Sequence, residues 1–204
     1  METTYIPPVS SVATELVTRS PAGRWVAIND NADPRTQVVV YDRRKHRRAD
    51  DRLHCAVPVL ADDAGTTDNS LVAAGRSLII ENNYGYGGPS TTIGGRSSTP
   101  GLASVRVGRH GCRVQWTSDE TAPSSVAKAS LGNGLLYAYT KPPRADGLDA
   151  WYVTAIDLRT GATRWSRLTG TGVQWNNHYS SIYLGPDGAL YVATLAGLVR
   201  MKDG

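Results

Sequence analysis

The sequence predicts an all-β protein, a propeller of about four blades that are each a four-stranded antiparallel sheet. Short apolar runs bounded by turn residues recur along the chain, as strands require. No segment sustains the 3.6-residue spacing of an amphipathic helix. Groups of such runs recur roughly every 50 residues, the period of a propeller blade. Because one sheet cannot bury both of its faces, repeats of this kind are stable when they stack around an axis.

Each predicted blade is a group of strands in chain order. The predicted strands are residues 11–18, 25–29, 37–41 and 53–59; 71–74, 78–81, 102–107 and 112–116; 126–130, 135–139, 151–157 and 163–167; and 181–184, 189–194 and 198–201. The blades therefore span about 11–60, 69–117, 125–168 and 178–204 of a single domain. The fourth has no outer strand, which residues 3–6 can supply unless Pro7 and Pro8 make that segment a loose lead-in.

Composition supports this fold class and restricts the classes of binding partner that we expect. A chain of 204 residues with 40% hydrophobic residues can bury one sizeable core, and 21 Gly and 11 Pro favour turns. No apolar run is long enough for a membrane span. The basic run at residues 43–48 is followed by Asp50 and Asp51 and lacks interleaved aromatic residues, so we expect a solvated turn and no nucleic-acid partner.

The start of the chain and its cysteines bear on its compartment. The first residues lack the basic-then-apolar order of a signal peptide. Either the protein stays inside the cell, or its natural start lies upstream, which would favour a secreted or periplasmic location. Cys55 and Cys112 can form a disulfide in an oxidising compartment or remain separate buried thiols. The four His are scattered, so the spacing does not indicate zinc.

One stretch of the third predicted blade resembles the quinoprotein (PQQ-like) repeat, Ala-x-Asp-x-x-Thr-Gly-x-x-x-Trp. Its positions are filled by Ala155, Asp157, Thr160, Gly161 and Trp165. The match is partial in the second blade and poor in the first. The resemblance implies a propeller of about eight blades, of which this chain would be a C-terminal portion. Closure of the four blades alone, or by self-association with a second copy, stays open.

Binding residues are expected on one face of the propeller. Connections between second and third strands lie on the same face as the crossovers between blades, and loops commonly carry binding residues. We call this surface the loop face. It comprises the connections 29–35, 82–101, 141–150 and 195–197 and the crossovers 61–70, 118–125 and 169–180.

Two segments of the loop face echo each other, residues 81–86 and 174–179. Both contain paired Asn beside aromatic residues, which suits a sugar, a peptide or another small polar ligand. Alternatively, the Asn side chains only satisfy loop backbone groups. The predicted ligand contacts are Glu81, Asn82, Asn83, Tyr84, Asn176, Asn177 and Tyr179.

Two further roles concern the same segments. Glu81, Asn82 and Asn177 offer the oxygen ligands that Ca²⁺ prefers. His178 is the candidate for acid–base catalysis, because its ordinary pKa lies near neutrality. No Gly-x-Ser-x-Gly nucleophile elbow is present.

The sequence favours a binding or scaffold propeller that contacts a small polar ligand or a protein partner. The alternative is a metal-dependent hydrolase or lactonase with its site on the propeller axis. A quinoprotein dehydrogenase is less favoured, because the resemblance implies an adjacent Cys pair against the cofactor that this chain lacks. PQQ is therefore not expected.

Overall fold

The computed structural model describes residues 18–19, 24–31, 35–44 and 52–202, which form four antiparallel sheets. This confirms the predicted all-β propeller fold class. Most of the predicted strand 11–18, the candidate closing strand 3–6 and residues 45–48 of the basic run lie outside the described residues. No described helix is long and apolar enough to cross a membrane.

The strands of each sheet follow chain order. The first sheet contains β1 (Thr18–Arg19), β2 (Trp25–Asp30), β3 (Gln37–Asp42) and β4 (Leu53–Pro58). The second contains β5 (Val72–Ala74), β6 (Ser77–Glu81), β7 (Leu102–Val107) and β8 (Cys112–Ser118). The third contains β9 (Lys128–Ser130), β10 (Leu135–Thr140), β11 (Ala150–Asp157) and β12 (Thr163–Thr171). The fourth contains β13 (Ile182–Leu184), β14 (Leu190–Thr194) and β15 (Gly197–Met201).

The sheets are arranged side by side with their first strands innermost. Strand β1 contacts β5, β5 contacts β9, and β9 contacts β13. A parallel bridge between Val126 and Ser181 ties the third sheet to the fourth at this inner edge. Among the described residues the fourth sheet has three strands, so its outer edge is β15.

The core lies between successive sheets. Val38 and Val40 of β3 are fully buried and pack in one cluster with Leu78 and Ile80 of β6. Burying one such side chain stabilises the fold by about 1.5–3 kcal/mol. Two further clusters fill the spaces between the second and third sheets and between the third and fourth. The second sheet is thus buried by both neighbours, which explains why β6 is apolar on both faces: Ile80 packs towards the first sheet and Ile79 towards the third.

The Asp157 turn between β11 and β12 locks the third sheet to the second. The Asp157 Oδ1 atom accepts hydrogen bonds from the backbone N–H groups of Arg159 and Thr160, both at 2.9 Å. Gly161 has φ of +75° and lies against the Trp116 ring, where a Cβ would be 2.6 Å from a ring carbon. The Trp116 Nε1–H donates to the Leu158 carbonyl at 2.9 Å. Glycine is therefore required by both backbone conformation and packing.

A disulfide joins the outer strands of the first two sheets. Cys55 of β4 and Cys112 of β8 are bonded, with Cα atoms 5.8 Å apart and a sequence separation of 57. The structure thereby selects one of the two alternatives for the cysteines. A cross-link over a loop of this length stabilises the fold by about 4 kcal/mol in the chain-entropy description.

Candidate functional site

The two Asn-containing segments of the loop face meet through Tyr86. The Tyr86 hydroxyl donates to Asn176 Oδ1 at 3.3 Å and lies 2.9 Å from Nδ1 of His178. Segment 81–86 follows β6 of the second sheet, whereas segment 174–179 lies on the crossover from β12 to β13. The fold therefore brings together two stretches that are about 90 residues apart in sequence.

Asn82 and Asn83 are buried at the end of β6 and hold crossovers in place. The Asn82 Oδ1 atom accepts from the backbone N–H of Thr66 at 3.2 Å. The Asn83 side chain accepts from the N–H of Asp68 at 2.9 Å and donates to the Pro123 carbonyl at 3.1 Å. These amides thus bind two successive crossovers to one strand end.

Asn176 and Asn177 are also buried, and they are held by one serine. The Ser124 hydroxyl donates to the Oδ1 atoms of Asn176 and Asn177, at 3.1 and 2.9 Å. Asn177 returns a hydrogen bond from Nδ2 to the Ser124 carbonyl at 2.9 Å. The amides of all four predicted Asn contacts are therefore engaged by the protein, which makes them the support of the site.

Side chains that do reach solvent surround this support. Tyr84 is 43% exposed, His178 is exposed, and Tyr179 is partly exposed. The Tyr179 hydroxyl donates to Asp68 Oδ2 at 2.8 Å, and its ring meets the Tyr86 ring edge-on at 5.3 Å between centroids. We call Asp68, Tyr84, His178 and Tyr179, together with the buried Tyr86 that joins the two segments, the aromatic rim. Sequence reasoning missed Asp68 and Tyr86, although Tyr86 lies within the segment it singled out.

The rim is held in a strained conformation at His178 and Tyr179. Their φ angles are +40° and +66°, in the left-handed region that costs a non-glycine residue about 1–2 kcal/mol. The His178 N–H donates to Asn176 Oδ1 at 2.7 Å, which offsets part of this cost. Such strain is commonly found where side chains must be aimed for function.

The pKa values of the Tyr86 and Tyr179 hydroxyls are both raised. Burial raises the pKa of Tyr179, and the Asp68 carboxylate beside its hydroxyl raises it further. Burial likewise raises the pKa of Tyr86, outweighing its hydrogen bonds to Ser124 and Asn176. The hydroxyls of Tyr86 and Tyr179 are therefore neutral and engaged within the protein, and the rim presents uncharged rings to a ligand with the Asp68 carboxylate alongside.

Glu81, one of the three predicted calcium ligands, is buried at the end of β6. Its side chain is only 3% exposed; Oε1 accepts from the Ala127 N–H at 3.0 Å, and Oε2 has no partner among the described residues. Burial raises the pKa of Glu81 to about 8. The oxygens of Asn82 and Asn177 are bound by different crossovers.

The two longest connections of the loop face are fastened to each other by a buried ion pair. The Lys141 Nζ atom lies 3.2 Å from Asp149 Oδ1 and donates to the Arg96 carbonyl at 2.7 Å. Asp149 also accepts from the N–H groups of Gly94 and Gly95, at 3.1 and 2.8 Å. The Gly-rich connection is thereby held against the third sheet, beside the site.

Comparison with known proteins places this architecture among β-propellers. BamB from Moraxella catarrhalis superposes with a TM-score of 0.61 at 17% identity, covering 94% of this chain and 50% of that one. Hydrazine synthase from Kuenenia stuttgartiensis superposes with a TM-score of 0.53 at 14% identity, covering 92% and 58%. A candidate 6-phosphogluconolactonase from Bacteroides fragilis superposes with a TM-score of 0.52 at 19% identity, covering 87% and 46%.

Sequence comparison adds one distant relative. An uncharacterised protein of Archaeoglobus fulgidus is 26% identical over 112 residues, which are 52% of this chain and 21% of that protein. No known protein-family profile matches the chain. The chain spans about half the length of the solved structures it matches. At these identities the likenesses show the propeller fold.

Proposed function

We propose that this chain is a PQQ-like-repeat propeller segment with a binding or scaffold role, and that the aromatic rim is its contact surface for a protein partner. The observation that carries the proposal is the pair of contacts made by the Tyr86 hydroxyl. They join the segment after β6 to Asn176 and His178 on the crossover from β12 to β13. Through this hydroxyl, the segment that carries the exposed Tyr84 is joined to the segment that carries the exposed His178.

The chemistry of the rim favours binding over catalysis. Tyrosine and histidine side chains offer large contact area with few rotatable bonds, so ordering them on binding costs little entropy. The buried amides beneath already have their hydrogen bonds, and their partners hold the rim in place before a ligand arrives. Such preorganisation raises affinity because less freedom is lost on association.

The groups that face solvent match an exposed peptide segment. Tyr84 provides an exposed ring face, and His178 and Tyr179 provide polar atoms beside rings. Peptide groups supply matching donors and acceptors, and their side chains pack on aromatic faces. A saccharide offers similar chemistry, so the experiment must compare the two.

The proposal is tested by screening the purified chain against a peptide array and a glycan array. The strongest peptide is then titrated into wild type and the Tyr84→Ala and His178→Ala variants. We expect each rim variant to lose at least about tenfold in affinity, as hot-spot residues do. Tyr183→Ala is the matched control, because Tyr183 is 64% exposed on β13 outside the rim.

Two outcomes would contradict this assignment. If the rim variants bind the selected peptide as tightly as wild type, the peptide-binding surface lies elsewhere on the protein. Selective binding to a glycan that depends on Tyr84, with no peptide binding, would replace the protein partner with a saccharide.

The second candidate function is the metal-dependent hydrolase or lactonase, and the unpartnered Oε2 of buried Glu81 favours it. One of the propellers that superpose on this chain is named as a candidate 6-phosphogluconolactonase. Because the pKa of Glu81 is about 8, its carboxylate is available to Ca²⁺ chiefly above that pH. A Ca²⁺-dependent rise in Tm at pH 9 that Glu81→Gln abolishes would support this candidate, and no rise at pH 7 or 9 would exclude calcium at Glu81.

We also propose a secreted or periplasmic location, because the Cys55–Cys112 disulfide requires oxidising conditions to persist. We further propose that copies of the chain associate with each other to complete a larger ring of blades. Mass measurement in solution tests it: a dimer supports self-association, and a monomer at high concentration contradicts it.

A further inference from the structure

The Cys55–Cys112 bridge has a histidine beside it at the end of the sheets opposite the loop face. A ring nitrogen of His54 and the two sulfur atoms all lie within 4.8 Å of one another. Among the described residues this is the one group of three such side chains close enough to share a metal ion. All three residues are partly buried.

The backbone fixes the tautomer of the His54 imidazole. Its Nε2 atom lies 3.0 Å from the Gly108 carbonyl oxygen, which can only accept a hydrogen bond, so Nε2 carries the proton. The lone pair is then on Nδ1. The His54 ring packs on Trp25 with centroids 4.2 Å apart, which limits its rotation. A carbonyl that fixes the far nitrogen of a histidine is the usual support of a metal-binding imidazole.

We propose that these three residues form a redox-gated zinc site, occupied when the disulfide is reduced. Exchange with an external dithiol breaks the S–S bond, oxidises the dithiol to its own disulfide, and delivers two electrons and two protons as two Cys thiols. Zn²⁺ then displaces the two thiol protons into solvent. The ligands are two thiolates, neutral His54 Nδ1 and one water.

The distances suit a tetrahedral ion. With Zn–S of about 2.3 Å and Zn–N of about 2.0 Å, the ligand atoms would be separated by about 3.5–3.8 Å. One ring nitrogen of His54 is already within 4.8 Å of both sulfur atoms, and the Cα atoms of the cysteines are 5.8 Å apart. Side-chain adjustment within two fixed strands is therefore sufficient. Two thiolates also neutralise the ion, which reduces the cost of placing it in a partly buried position.

The site would keep β4 and β8 joined in both redox states. The disulfide links these outer strands under oxidising conditions, and zinc would link them through the same two side chains after reduction. The inference does not depend on the proposed function of the aromatic rim, which lies on the opposite face.

The test uses Co²⁺ as a spectroscopic stand-in for zinc. The chain is reduced with a dithiol, freed of it under anaerobic conditions, and titrated with Co²⁺ beside the oxidised chain. We expect one Co²⁺ per reduced chain with thiolate charge-transfer absorption that Zn²⁺ removes, and none with the oxidised chain. His54→Ala should lower the affinity at least about tenfold. His110→Ala is the matched control, because His110 is exposed in the turn before Cys112 and lies outside the group.

Several results would overturn the proposal: no thiolate absorption in the reduced wild type, equal affinity in His54→Ala, or equal affinity in Cys55→Ser. Circular dichroism monitors the fold throughout. If reduction unfolds the chain, zinc must restore the β-sheet spectrum, and failure to restore it also overturns the proposal.

Discussion

Two ionisable side chains are buried at the loop-face ends of neighbouring sheets, and they differ in their partners. Glu81 ends β6, is 3% exposed, and has no ion-pair partner among the residues that the structure describes. Lys141 follows β10, is fully buried, and has the Asp149 carboxylate 3.2 Å away. Burial raises the pKa of Glu81 to about 8 against the opposing hydrogen bonds of Ala127 and Ser125, so at neutral pH the carboxyl stays protonated. Burial also lowers the pKa of Lys141, but Asp149 opposes that change.

This difference shows that a buried acid without a counter-charge becomes neutral, whereas a buried group beside an opposite charge stays ionised. Burial pushes the pKa of Asp149 upward, but the N–H of Gly95, the Lys141 ammonium and the N–H of Gly94 together bring it below its ordinary value. The contributions of Asp149 and Glu81 to stability therefore change in opposite directions with pH. The Asp149 contribution to stability is lost as the pH falls through its lowered pKa, and the Glu81 contribution is lost as the pH rises towards 8.

The largest expected effect comes from removing the partner of Lys141. Asp149→Asn leaves a buried ammonium without a counter-charge, so we expect it to lower the free energy of unfolding by about 3–5 kcal/mol. Urea unfolding at pH 7 measures this. Asp146→Asn is the matched control, because Asp146 pairs with Arg144 at the surface, where solvent screens the pair, and its loss should cost much less than that of Asp149. Equal losses in the two variants would show that burial does not set the cost.

Adding Lys141→Met to Asp149→Asn sharpens the comparison. The methionine removes the stranded charge and keeps most of the side-chain volume, so the double variant should recover part of the lost stability. If the double variant unfolds as easily as Asp149→Asn alone, the uncompensated charge is not the cause. The loss would then come from the N–H groups of Gly94 and Gly95.

Glu81→Gln tests the unpartnered acid. The folded pKa of about 8 exceeds the ordinary 4.5, so the folded state holds more protons between these values and wild-type stability falls as the pH rises. Between pH 5 and 7 the wild type should lose about 2–3 kcal/mol relative to Glu81→Gln, which cannot ionise. The Gln carbonyl can still accept from the Ala127 N–H. Parallel stability–pH curves for the two proteins would contradict a raised pKa.

Much of the fold was predictable because strand signals are local. Residues 135–139 and 189–194 alternate or cluster apolar side chains between turn residues, and the structure has β10 and β14 there. Strand β12 was predicted to end at Arg167 but continues to Thr171, because it pairs along the whole of β11. Its own side chains are mostly exposed and carry no apolar pattern that would reveal this.

The site was less predictable because its partners are distant in sequence. The two Asn-containing segments could be found by their composition, but what each amide binds depends on Ser124 and on crossovers that no local pattern relates to them. In the sequence, Lys141 precedes Pro142 in a loop, a position that is typical of an exposed charged residue. Its burial depends on the Gly-rich connection lying over it, a contact between the second and third sheets.

The smallest expected effect concerns an interaction at the surface, between Tyr179 and Asp68. Tyr179→Phe removes the hydroxyl that donates to Asp68 and leaves the ring against Tyr86. Because Asp68 is exposed, water can replace the lost donor, and we expect the free energy of unfolding to fall by about 0.5–1 kcal/mol. Thermal unfolding at pH 7 measures the change. A loss as large as that of Asp149→Asn would mean that pairing, and not burial, determines what each charged group on the loop face contributes.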